Sequence, residues 1–63
     1  MKNMRLKTAR VSQGMTQMQL AEEVGLKEIE ISRIETGRVN ADPATKQRIS
    51  EILGKPLYEL FNS

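Results

Sequence analysis

Apolar residues recur along the chain at helical spacing, in five groups set apart by glycine or proline. Leu6 and Ala9 share a face with Arg10 and Gln13, which predicts a helix over residues 3–13. Leu20, Ala21 and Val24 give a second stripe, with Glu22 and Glu23 turned away from it. Ile31 and Ile34 make a third. At about 100° per residue, the face opposite them carries Glu28, Ile29, Ser32, Arg33 and Thr36. Ile49, Ile52 and Leu53 form a fourth buried face. Leu57, Leu60 and Phe61 form a fifth, on a short last helix expected to fold back on the core. No strand is predicted, so the expected fold class is all-α with five helices.

The punctuation agrees with this periodicity. Thr16 and Gln19 stand at the spacing of a capping box, flanked by a Met15–Leu20 hydrophobic staple. Gly25 stops that helix, because glycine takes the left-handed conformation without a Cβ clash. Lys27 stands at the N-cap of the next helix, with Leu26 and Ile31 as a second staple, and Gly37 ends it. Gly14 and Gly54 close the first and fourth helices. Asp42-Pro43 opens the fourth with an N-cap aspartate and a proline at the first helical position, and Pro56 opens the fifth. Caps, breakers and periodicity that agree are better support for a fold than any one of them. The turn Gly25-Leu26-Lys27 is only three residues long. It makes Thr16–Gly37 a helix-turn-helix, a unit whose second helix can be presented to a DNA groove.

Length and composition narrow the function. Sixty-three residues predict a single domain, 1–63, with a small core and no room for a sizeable catalytic cleft. There is no cysteine and no histidine, which removes disulfides, thiol chemistry and the common zinc sites. No pair of Ser, Lys, Asp or Glu stands at a spacing that suggests a catalytic site, so no enzyme, metal, cofactor or small-molecule ligand is expected. The N-terminus is polar and no run approaches a membrane span, which predicts a soluble, cytoplasmic, nucleoid-associated protein. The net charge of +2 says less than its placement: Lys2, Arg5, Lys7 and Arg10 fall in the first fifteen residues, which contain no acid. A basic end suits an anionic partner, and it also suits a plain solvated helix.

The run T-Q-x-x-L-A-E-x-V-G-L followed by I-S-R-I-E-T-G resembles the lambda-repressor/Cro-like helix-turn-helix family, also called the XRE family. Gln17, Leu20-Ala21, Gly25, Ile31, Ile34, Glu35 and Gly37 carry the likeness, which spans Leu6 to Phe61. The sequence departs from the family at Thr45 and Gln47, where relatives usually carry apolar residues, so the first half of the fourth helix should pack less well; Lys55, beyond that helix, is a further departure where an apolar residue is usual.

The resemblance implies a partner, double-stranded DNA, and two classes of contact. Thr16 and Gln17 at one helix start, and Thr36, the Gly37 backbone and Arg38 at the other end of the unit, are the phosphate candidates. Lys27, Glu28, Ile29, Ser32 and Arg33 are the base-contact candidates. Arg33 can donate a bidentate pair to guanine, Ile29 can meet a thymine methyl, and Glu28 can accept from cytosine. Glu28 is equally consistent with repelling wrong sequences or with weakening binding altogether. Glu30 lies off the outward face, where its expected role is to favour the positive end of the helix dipole. Arg10 is odd on a buried face, and the family implies an ion pair with Glu35.

The family further implies a repressor that binds a palindromic operator as a dimer. With no long dimerising segment, self-association should be weak, strengthened on DNA, and built from Leu57, Tyr58 and Phe61 or from the loop after Gly37. Met4 and Val11, opposite the first core face, offer another contact surface or ordinary exposed side chains. The competing reading is a protein-interaction module, such as an antitoxin-like or anti-repressor subunit, for which the acidic Glu28–Glu30 turn is the best argument.

Overall fold

The computed structural model describes residues 3–61, and among these it contains five helices and no strand. They are α1 (Met4–Ser12), α2 (Gln17–Val24), α3 (Glu28–Glu35), α4 (Pro43–Leu53) and α5 (Leu57–Leu60). Lys2 lies outside the described residues. Side-chain caps mark the starts of α1, α2 and α4. The Thr16 hydroxyl accepts from the Gln19 N–H at 3.0 Å, and Gln19 Oε1 accepts from the Thr16 N–H at 2.8 Å, a complete capping box. Asp42 Oδ1 accepts from the Thr45 N–H at 2.7 Å ahead of Pro43.

All five helices meet in one core. Leu6, Leu20, Ile31, Ile49, Leu53 and Leu60 are each less than 2 % exposed. Burial of such a side chain stabilises by about 1.5–3 kcal/mol. Ala9, Ala21, Val24, Ile34 and Phe61 complete the cluster, with Met15, Leu26, Ala41 and Ile52 packed at its edge. Two expectations need correction. Leu57 is 38 % exposed rather than folded onto the core. A helix of one turn presents a single face to its neighbours, and Leu60 and Phe61 occupy it. Phe61 is therefore buried and cannot belong to a dimer surface, and the Lys46 ammonium lies 5.3 Å from its ring centroid, a cation–π contact.

Asn3 is a joint that the periodicity did not announce. Its side-chain oxygen accepts from the Leu6 N–H at 3.0 Å and caps α1, while its side-chain nitrogen donates to the Leu60 carbonyl at 2.8 Å. Its backbone N–H donates to the Glu35 carbonyl at 2.7 Å. One residue thereby ties α1 to the ends of α3 and α5.

Asp42 is held below its ordinary pKa of 3.8, first by the Thr45 backbone N–H and then by the Thr45 hydroxyl. A depressed folded-state pKa means that its contribution is fully present above the unfolded value and is lost as pH falls through the folded one. An Asp42→Asn variant should therefore lose less stability than the parent as pH drops below about 4. Urea unfolding across acidic pH checks this, and identical pH profiles would refute it. No helix among the described residues is long and apolar enough to cross a membrane.

Candidate nucleic-acid interface

The turn between α2 and α3 sets the geometry. Gly25 has φ +79°, and both its own N–H and that of Leu26, at 2.8 Å, donate to the Ala21 carbonyl. A Cβ at Gly25 would touch nothing within 4 Å, so the demand for glycine here is purely conformational. The closed turn leaves α3 projecting, with Ile31 and Ile34 buried against α2 and the opposite face bare.

That face carries the base-contact candidates together. Lys27, Glu28, Ile29 and Arg33 are exposed and Ser32 is half-buried. The ion pairs among the described residues are Arg10–Glu35 and Lys55–Glu59, so neither Glu28 nor Arg33 is engaged in one. Ile29 is 52 % exposed, a large apolar side chain standing among polar ones. Beside it, a groove of about 550 Å³ runs between α3 and the following loop, lined in part by Ile29, Arg33 and Val39. Val39, in the loop after Gly37, is itself 47 % exposed.

Lys27 is an unusual N-cap, because an ammonium has no acceptor with which to bond the first-turn N–H groups. The cap is one-sided: Glu30 Oε1 accepts from the Lys27 N–H at 3.3 Å. Half-buried Glu30 therefore serves α3 itself.

The phosphate candidates fall at two places. At the start of α2, Thr16 is exposed and Gln17 half-buried. The Gln17 amide nitrogen donates to Glu35 Oε1 at 3.1 Å, which joins it to the end of α3. At the other end of the unit, the Thr36 hydroxyl donates to the Arg33 carbonyl at 3.2 Å and the Gly37 N–H to the Ile34 carbonyl at 3.2 Å. Both donors serve the last carbonyls of α3, as the C-terminus of a helix requires. The exposed Arg38 side chain is the cationic donor left at this end.

Arg10 and Glu35 lie behind both places. Arg10 Nε donates to Glu35 Oε2 at 2.6 Å and Nη2 to Oε1 at 3.2 Å, with Arg10 7 % and Glu35 5 % exposed. Arg10 Nη1 donates to the Met15 carbonyl at 2.7 Å, just ahead of α2. Every buried polar side-chain atom among the described residues has a partner.

Charge on the unit is unexpectedly acidic. Glu22, Glu23, Glu28 and Glu30 stand on its surface against Lys27 and Arg33, with Arg38 just beyond. Among the described residues, no three metal-ligating side chains are grouped to hold an ion.

No curated protein matches the chain. A family model described as Helix-turn-helix matches residues 6–60, from within α1 to the end of α5. With that span matched and the two central helices joined as described, the chain belongs to the helix-turn-helix family of XRE, lambda-repressor-like DNA-binding regulators.

Proposed function

We propose that this protein is a sequence-specific transcriptional repressor, a single cytoplasmic, nucleoid-associated domain that binds a palindromic operator as a dimer. The observation that carries this reading is the bare face of α3. Glu28, Ile29 and Arg33 project from a helix whose angle is fixed by a turn of three residues. Arg33 would read guanine, Ile29 a thymine methyl and Glu28 a cytosine, each worth about 1–3 kcal/mol of discrimination. Lys27 and Ser32 flank them. Thr16, Gln17 and Arg38 would hold phosphates and set the register.

One copy covers a half-site. Two copies would place their α3 helices about one DNA turn, ~34 Å, apart. Exposed Leu57 and Tyr58 and the loop at Arg38, Val39 and Asn40 supply the surface for a weak dimer that DNA strengthens. A tight dimer in dilute solution without DNA, seen by sedimentation, would contradict this assembly.

Selection from a random duplex pool at moderate salt tests the whole reading. The expected product is a palindrome with half-sites one turn apart, whose preferred bases change when Arg33 is replaced by methionine. A pool with no enrichment would favour the second reading, a protein-interaction module, for which the four surface glutamates of the unit are the specific support.

A further inference from the structure

The buried ion pair does more than join helices, because one oxygen of it is shared. Glu35 Oε1 accepts from Arg10 Nη2 at 3.2 Å and from the Gln17 amide nitrogen at 3.1 Å. Glu35 belongs to the last turn of α3, and Gln17 is the first residue of α2. A carboxylate has acceptors only, so the amide must present an N–H to it. Turning the amide over would set its carbonyl oxygen against the Glu35 oxygen, and the buried negative charge excludes that state. An amide nitrogen carries two hydrogens. With one held by Glu35, the second has no protein acceptor among the described residues. Gln17 is half-buried, at the helix end where donors collect.

We propose that Glu35 is a positioning residue for DNA: its carboxylate holds the Gln17 amide nitrogen in place through one hydrogen, and the second N–H of that nitrogen is the donor to a backbone phosphate. Arg10 completes the device. It neutralises Glu35 and, through the Met15 carbonyl at 2.7 Å, fixes the chain just ahead of α2. The same carboxylate thereby sets the distance between the phosphate donor on α2 and the base-reading face of α3. This rests on the reading of Gln17 as a phosphate contact.

The experiment is a methylphosphonate scan of the selected duplex, one phosphate at a time, with the full chain. Methylphosphonate is uncharged and has lost one acceptor oxygen. For the parent, one position per half-site should cost about tenfold in affinity that Gln17→Ala no longer shows. In Glu35→Gln, whose neutral side chain accepts either flip of Gln17, that penalty should shrink to about threefold or less. Glu35→Gln leaves Arg10 uncompensated, so the double variant Arg10→Met with Glu35→Leu serves as a folded control with neither charge. A purely structural pair predicts that this control recovers the full Gln17-dependent penalty. The positioning role predicts that it does not, and that Gln17→Ala then has little further effect. If no phosphate shows a Gln17-dependent penalty, the phosphate reading falls and the inference with it. If one does and both Glu35 variants keep it whole, the inference alone is overturned.

Discussion

Replacing Glu35 with alanine is expected to lower the melting temperature by about 15 °C or more. The change removes the partner of Arg10, which is 7 % exposed and whose guanidinium is bonded twice to the carboxylate. An uncompensated buried charge costs about 3–5 kcal/mol. A domain of this length has about 3–9 kcal/mol in all, so the loss takes most of its stability. Each kilocalorie moves the midpoint of so small a domain by about 4–8 °C. Arg10→Ala should behave similarly, stranding the carboxylate instead. Arg10→Met combined with Glu35→Leu should recover most of the loss, since well-packed apolar replacements of a buried pair are often neutral or stabilising. Thermal unfolding followed by far-ultraviolet circular dichroism decides the matter. A shift below about 5 °C for Glu35→Ala would mean that water reaches the pair.

The second large effect separates two isoleucines on one helix. Ile31 is fully buried and Ile29 is 52 % exposed. Ile31→Ala opens a cavity between α2 and α3 and should cost about 2–5 kcal/mol. Its surviving folded molecules should prefer the same bases as the parent. Ile29→Ala should change stability by no more than about 0.5 kcal/mol. It should nevertheless lower the preference for the selected duplex over a scrambled one, because the methyl-binding surface is gone. Denaturant midpoints and competition binding, measured on both variants, test the contrast. Equal loss of discrimination in the two would show that the outward face of α3 does not read bases.

What the amino-acid order reveals, and what it hides, divides along the range of the interaction. The Thr16 box, the Asp42-Pro43 start and the Gly25 stop are made between residues a few positions apart, so their spacing is visible in a line of letters. The bare face of α3 is legible for a related reason: once Ile31 and Ile34 are placed inside, helical geometry puts Ile29 and Arg33 outside. Asn3 was hidden. Two of its partners, Glu35 and Leu60, are distant in sequence, and no periodicity joins them. Leu57 misled for the opposite reason, since apolar type and spacing promise burial while a single helical turn has too little surface to deliver it. The bonds at the other helix end are likewise absent from the spacing: the Thr36 hydroxyl and the Gly37 N–H donate to the last carbonyls of α3. The Gln17 bond to Glu35 required the packed molecule, because it joins the start of α2 directly to the end of α3, helix ends that no periodicity brings together.

The acidic surface of the unit has a kinetic meaning. Duplex DNA draws basic proteins to itself from a distance and holds them on any sequence. A helix-turn-helix unit carrying Glu22 and Glu23 on α2 and Glu28 and Glu30 on α3 forgoes part of that pull, so its encounters should run nearer about 10⁵–10⁶ M⁻¹s⁻¹ than the steered limit. The same repulsion shortens every stay on a wrong sequence. Under the regulatory reading, little of the cellular pool is then sequestered along the chromosome. A slow searcher of this kind can keep its operator filled with few copies, and its occupancy follows its own synthesis and decay more closely than the amount of DNA around it.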